Sequence, residues 1–284
     1  MNEFKEYHPV AGFVYFALVI TFSMFFMHPV CLALSFLGAF LYSLILGRAK
    51  TILYALPVAA FAAVLNPLFN HSGATVLFYL GNGNPFTAES VYYGLAAGAM
   101  LCAVICWFSC FGAVMTGDKT IYLFGRIIPS MSLVISMILR LIPEFKRKMR
   151  EIGNARKGLF KNYRLKDAVS VFGALVSASL EGAVETADSM SCRGYGLKHR
   201  SAYSNYIFTK RDAAVCIACA VTGTYTVIGA AEGALGWRYF PSVSGAEVTP
   251  YSISVFAAYF VMCLMPVIIE AAEVCRWKAI KSKI

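Results

Sequence analysis

Apolar residues come in long runs along this chain, and short polar breaks separate the runs. Six of the runs approach the about 20 residues that a helix needs to cross a bilayer. They cover 10–27, 30–46, 52–69, 91–115, 212–231 and 251–271. The breaks between the first three are tight. His28 and Pro29 divide the first two, and Gly47 to Lys50 divide the next. The longer break after the third run holds Gly81, Asn82, Gly83, Asn84 and Pro85, which predict a turn.

Between the fourth and fifth runs the pattern changes. Residues 130–142 are almost wholly apolar but too few to span a bilayer, and Pro129 and Pro143 bound them. That predicts a helix lying at an interface or against other protein. Pro143 suits the first turn of a second helix. On it Phe145, Met149 and Ile152 follow i, i+4, i+7 spacing, with Lys146, Arg147, Lys148 and Arg150 around the rest of the axis. A third helix is expected from Asp167, as its N-cap, to about Arg193, roughly 40 Å long. Its first half is apolar, with Val171, Phe172, Leu175, Val176 and Leu180. Its second half carries Glu181, Glu185 and Asp188 at i, i+4, i+7, an acidic stripe.

Charge turns this pattern into a topology. Most of the 25 Lys and Arg residues lie between 116 and 211, and more follow the last apolar run at Arg276, Lys278, Lys281 and Lys283. The break after the second run has Arg48 and Lys50, whereas those after the first and third have no Lys or Arg, and that after the fifth has only Arg238. Basic residues stay in the cytoplasm, so the alternation places both termini and residues 116–211 there. The expected fold is all-α: a polytopic protein of the cell membrane with about six transmembrane helices and a long helical cytoplasmic coupling region. It divides into 1–115, 116–211 and 212–284.

Composition agrees. Hydrophobic residues make up 59% of the 284 and charged ones only 14%, against about 25% charged in a soluble domain. The mean hydropathy is +0.65. The net charge of +10 is therefore read as membrane orientation, not nucleic-acid binding. Glu3 and Glu6 precede the first run, so no removable signal peptide is expected. Cys102, Cys106 and Cys110 share one helical face, but no His or carboxylate lies in that run, so buried packing residues are expected. Cys216 and Cys219 form a C-x-x-C inside an apolar run, a weak redox signal. His8, His28, His71 and His199 are far apart, and no H-E-x-x-H or P-loop occurs. No metal, no cofactor, no nucleotide binding and no catalysis are expected of this chain.

What remains is a pair of basic helix ends. One reads Asn154-Ala155-Arg156-Lys157-Gly158, the other Ser191-Cys192-Arg193-Gly194-Tyr195-Gly196. Each joins a small residue, a cation and a glycine. A glycine relieves the left-handed cap, and a cation in the last turn suits the helix dipole, so a solvated cap explains either one alone. Two copies in one segment suggest more. Small neighbours let a partner backbone approach, and arginine offers a rigid fork of donors, so the pair suits two equivalent grooves on a dimeric partner.

With these motifs the chain resembles the transmembrane coupling (T) component of energy-coupling factor transporters, a family with several membrane helices, a cytoplasmic coupling region and two short Ala-Arg-Gly signatures. The second signature matches from Arg193 on, with Cys192 in place of the usual Ala. The first is divided: aligned on Gly158, Lys157 holds the arginine position, and aligned on Ala155-Arg156 the glycine comes one residue late. The resemblance implies a non-catalytic subunit that joins two ABC-type ATPase subunits to a small membrane-embedded substrate-binding (S) component. Together they import a vitamin or transition-metal ion. It implies that Ala155, Arg156, Lys157, Gly158, Cys192, Arg193 and Gly194 meet the ATPases. It also implies that the apolar faces of 130–142 and 169–180, with Leu133, Ile135, Met137, Phe172, Leu175 and Val176, cradle the S component. Two other functions compete: a self-contained secondary transporter, and a membrane-bound enzyme acting on lipid, for which the acidic stripe is the candidate site.

Overall fold

A computed structural model of the chain describes residues 3–79, 85–125, 129–159, 165–195, 197, 206–247 and 249–281. The turn residues 81–84 and the residues Gly196 and His199 lie outside them. The chain forms two compact units. One joins Met1–Thr116 to Tyr206–Ile284, and the other is Gly117–Asn205.

Among the described residues the first unit is a bundle of six α-helices. In chain order these are α1 (Pro9–Phe25), α2 (Pro29–Ile45), α3 (Ala49–Phe69), α4 (Ala88–Val114), α8 (Lys210–Ala231) and α9 (Pro250–Lys281). The second unit supplies α5 (Gly117–Gly125), α6 (Pro129–Leu159) and α7 (Leu165–Cys192). Strand is confined, among the described residues, to two short hairpins of the bundle: β1 (Val76–Tyr79) with β2 (Pro85–Thr87), and β3 (Trp237–Arg238) with β4 (Ser244–Gly245). Among the described residues five helices are long and apolar enough to cross a membrane: α3, α4, α8, α9 and the Ala168–Cys192 stretch of α7. At 17 residues each, α1 and α2 sit at the short end of the spanning range. The chain is a polytopic, all-α membrane protein.

Helix starts in the bundle follow one local rule. His-Pro-Val occurs at residues 8–10 and again at 28–30. In both, the His Nδ1 accepts the backbone N–H two residues on, from Val10 at 3.3 Å and from Val30 at 3.2 Å, and Pro fills the first helical position where no N–H is needed. An accepting Nδ1 places the ring proton on Nε2. At His28, burial lowers the pKa and favours that neutral form. Helix α9 is longer than the sixth apolar run: it continues through the basic tail to Lys281, because nothing after Ala271 breaks it.

Aromatic and hydroxyl groups hold the bundle centre. Trp107 is fully buried, with Tyr15 and Phe16 packed edge-on at 6.2 and 6.3 Å between ring centroids. Its Nε1 donates to Ser35 Oγ at 3.0 Å, and Ser35 Oγ bonds Ser23 Oγ at 2.5 Å. Tyr259 OH stands 3.4 Å from Ser23 Oγ. One small network of neutral groups thus joins α1, α2, α4 and α9. Elsewhere backbones meet directly. A Cβ on Gly94 would lie 2.5 Å from Ala63 O, and one on Gly98 would lie 2.6 Å from Ala59 O, so these glycines let α4 pack against α3.

The two ends of the bundle differ. At one end, a short 3-10 turn (Glu3–Lys5) buries Phe4 against Tyr15, Phe16 and Tyr42. Phe4 N donates to Glu270 Oε1 at 3.2 Å, and His8 N donates to Asp212 Oδ1 at 2.8 Å. The start of the chain thereby ties α1, α8 and α9 together, with Lys278 and Lys281 beside Glu3. At the opposite end the connections fold onto one another. Tyr239 OH donates to Met27 O at 2.7 Å, Ala74 N to Pro241 O at 3.1 Å, and Thr75 N to Glu89 Oε1 at 3.2 Å. Among the described residues Arg238 is the lone Lys or Arg of that end.

Candidate docking surface

The unit Gly117–Asn205 carries every residue that the sequence singled out for partner contact. Its local structure departs from expectation at three points. First, Pro143 does not start a helix. It lies inside α6, a single helix of 31 residues, about 46 Å long at 1.5 Å per residue. An interior proline loses the bond to the carbonyl four residues back and its ring crowds that carbonyl, yet the helix continues on both sides of Pro143. Second, α7 begins at Leu165, so Asp167 stands within the first turn and not at the cap.

Third, the two basic ends are not alike. At the end of α7, Gly194 has φ +71°, the left-handed conformation. Tyr195 N bonds Met190 O at 3.1 Å and Gly194 N bonds Ser191 O at 3.0 Å, the paired bonds of a Schellman cap. At the end of α6, Gly158 remains helical and the helix runs on to Leu159. A Cβ there would meet open space. The bonding of the α7 end also recurs at Gly47 and Gly233 in the bundle, with φ +68° and +84°. Backbone geometry therefore does not set Arg193 apart; its chemistry and exposure do.

Cys192 and Arg193 are exposed, and Gly194 is half-buried. Among the described residues no ion pair involves Arg193. Ala155, Lys157 and Gly158 are exposed. Arg156 is half-buried, and its Nη1 donates to Ser170 Oγ of α7. Arg156 thus helps fasten α6 to α7, a role that spacing along one helix does not announce. The i, i+4 pairs Arg147–Glu151 at 3.6 Å, exposed, and Lys148–Glu144 at 3.3 Å, half-buried, add little to stability.

The apolar residues of this unit are largely uncovered. Leu133, Ile135, Phe172 and Val176 are exposed and Met137 is half-buried. Leu175 is different: with Val171 it is buried, on the inner face of α7. The first half of α6 exposes Val134, Ile138, Leu139, Leu141 and Ile142 as well, on all sides of the axis. A helix that is apolar all round does not stand in water. On α7 the exposed set Val169, Phe172, Val176, Leu180 and Val184 recurs at three or four residues and makes one stripe. Glu181, Glu185 and Asp188 run beside it, exposed, and no ion pair among the described residues involves them.

The bundle offers less for chemistry. Its buried carboxylates accept backbone N–H groups: Glu89 and Asp212 in the first turns of α4 and α8, and Glu270 within α9. Cys102, Cys106 and Cys110 are buried on one face of α4, and Cys219 Sγ faces Met265 Sδ at 3.7 Å. Among the described residues no group of three or more His, Cys, Asp or Glu side chains is placed to hold a metal ion. Comparison with models of known protein families and with curated proteins finds no match to this chain.

Proposed function

We propose that this protein is the transmembrane coupling subunit of an energy-coupling factor importer. In this reading the α6–α7 unit transmits the motion of two ABC-type ATPases to a small S component that carries a vitamin or transition-metal ion. Both chain termini and the unit Gly117–Asn205 then lie in the cytoplasm. The observation that carries the reading is the make-up of that unit: long helices that expose apolar side chains, joined to an exposed, glycine-capped cation at Arg193. Each part suits a partner of a different kind. The apolar faces suit a membrane-embedded subunit, and the cationic end suits a water-soluble one.

Helix α7 is long and apolar enough to cross a bilayer, and its acidic stripe argues against that placement. Spanning would set Glu181 near mid-bilayer, and an ionised side chain there costs about 2.5–3.5 kcal/mol on insertion scales. Lying along an apolar partner, α7 keeps Glu181, Glu185 and Asp188 in water. Against the secondary-transporter reading, the central network of the described bundle is made of neutral groups, Ser23, Ser35, Trp107 and Tyr259. The lipid-enzyme reading rests on the acidic stripe alone.

The test is retention of ATPase by the tagged, membrane-extracted protein. Reversing Arg193→Glu together with Arg156→Glu and Lys157→Glu is expected to remove most of the bound ATPase while insertion continues. Truncating one partner of a charge pair at an interface costs about 2 kcal/mol or more, roughly a thirtyfold loss of affinity. Because Arg156 also bonds Ser170, the single variant Arg193→Glu separates docking from a loosened α6–α7 pair. Retention unchanged in both variants removes the reading.

A further inference from the structure

A pocket of about 420 Å³ opens at the end of the bundle where the start of the chain meets the last turns of α9. Its size falls in the range of ligand sites, about 300–1,000 Å³. Charges of both signs line it. Glu3, Glu270 and Glu273 supply carboxylates, and Lys278 and Lys281 supply ammonium groups. Groups so placed would be expected to pair across the pocket, and they do not. Among the described residues neither lysine forms an ion pair, and Glu273 pairs instead with Arg276 of its own helix, at 3.6 Å.

Glu270 is the fixed point of the pocket. It is 4% exposed, and its Oε1 accepts from Phe4 N at 3.2 Å. Its Oε2 has no hydrogen bond among the described residues. Unlike Tyr42 OH and Trp237 Nε1, that oxygen is not sealed off, so the little surface that Glu270 keeps faces the pocket it lines. A buried carboxylate calls for donors or a cation. Lys278 stands about 12 Å further along the helix axis, a separation that a ligand carrying both charges spans more readily than a direct pair.

Depth in the membrane selects such a ligand. From Pro250, about 20 residues of α9 cross the about 30 Å of hydrocarbon, which brings the helix to Glu270. The pocket then lies in the headgroup layer. Trp277, half exposed at its edge, is of a type favoured at that depth, and an indole also attracts an ammonium group. We propose that the pocket binds the phosphoethanolamine headgroup of a membrane lipid. The ammonium donates to Glu270 Oε2 and to the Glu3 carboxylate, and Lys278 and Lys281 hold the phosphate. An anionic headgroup would satisfy the lysines and leave Glu3 and Glu270 facing like charge. A choline headgroup has no N–H to donate. The inference concerns the bundle alone and holds whether or not ATPases dock on the other unit.

The experiment is native mass spectrometry of the full chain in detergent micelles, titrated with dioleoyl phosphatidylethanolamine, phosphatidylcholine or phosphatidylglycerol. One phosphatidylethanolamine is expected to bind about tenfold more tightly than either of the others. Lys278→Gln with Lys281→Gln is expected to weaken the ethanolamine and choline lipids alike, since both carry the phosphate. Glu3→Gln with Glu270→Gln is expected to erase the preference between those two, since only the ethanolamine ammonium donates. Glu270→Gln still offers a carbonyl oxygen to Phe4 N. Should either pair fail to fold, the three-lipid comparison on the unaltered chain decides alone. Equal binding of the three lipids, or a preference that neither pair changes, overturns the proposal. So does displacement of the lipid by glycerophosphoethanolamine at equal concentration, which would mark the pocket as a site for a soluble ligand.

Discussion

Trp107→Ala is expected to cause the largest loss of stability of any single side-chain truncation in the bundle. Within a membrane, helices gain little from leaving lipid for protein, so packing and polar contacts between them carry the association. Trp107 supplies both. It is fully buried, meets Tyr15 and Phe16 edge-on, and donates to Ser35 Oγ. Truncating a buried Trp or Phe to Ala costs about 3–5 kcal/mol. The apparent melting temperature of the detergent-solubilised protein should drop by far more than in Trp107→Phe. That second variant keeps most of the packing and loses one hydrogen bond, worth about 1 kcal/mol. Equal drops in the two would mean that the hydrogen bond, and not the packing, holds α4 to α1 and α2.

The second large effect is expected at Gly98, from adding atoms. A methyl there meets Ala59 O at 2.6 Å and Ala63 Cβ at 3.3 Å. The first of these is backbone, which cannot rotate out of the way. Gly98→Ala should cost about 1–3 kcal/mol, the usual range for overpacking, and Gly98→Leu should separate α3 from α4. The measurement is the fraction of monodisperse protein after extraction and its thermal midpoint. Gly112→Ala is the control, because a Cβ at Gly112 of the same helix meets nothing within 4 Å. A Gly98→Leu protein as stable as the control would contradict the close α3–α4 packing.

The bundle was legible in the sequence because lipid leaves little freedom: apolar runs of spanning length must become helices. The runs at 52–69 and 212–231 became α3 and α8 nearly end for end. The joints between helices were less legible. Phe4 and Glu270 meet across almost the whole chain, and nothing local to either predicts it. The network of Ser23, Ser35, Trp107 and Tyr259 draws one residue from each of four helices, and each looks ordinary within its apolar run. The helix starts did carry a signal, the repeated His-Pro-Val, in which a ring nitrogen does the work usually given to Ser, Thr, Asn or Asp.

At the candidate docking surface, residue types were easier to foresee than shape. Exposure of Cys192, Arg193 and Phe172 follows from where polar and apolar residues fall on α7. Burial of Leu175 does not, because it requires knowing which face of α7 meets α6. Pro143 reads as a helix boundary and proved to be an interior residue, while α6 reaches Leu159, one residue past Gly158. Local propensity is a weak guide in a helix that neighbours on both sides sustain. The pairing of Arg156 with Ser170 depends on the same contact and on no motif.

Cys192 itself provides the most direct test of the docking account, since it is a free, exposed thiol beside Arg193. Cys275 is the other exposed cysteine among the described residues, and Cys275→Ser removes it. A membrane-impermeant maleimide is expected to modify Cys192 in inside-out vesicles, to leave it untouched in intact cells, and to react far more slowly once the ATPase subunits are bound. Modification of Cys192 from the outside of intact cells, or an equal rate with and without those subunits, would contradict it.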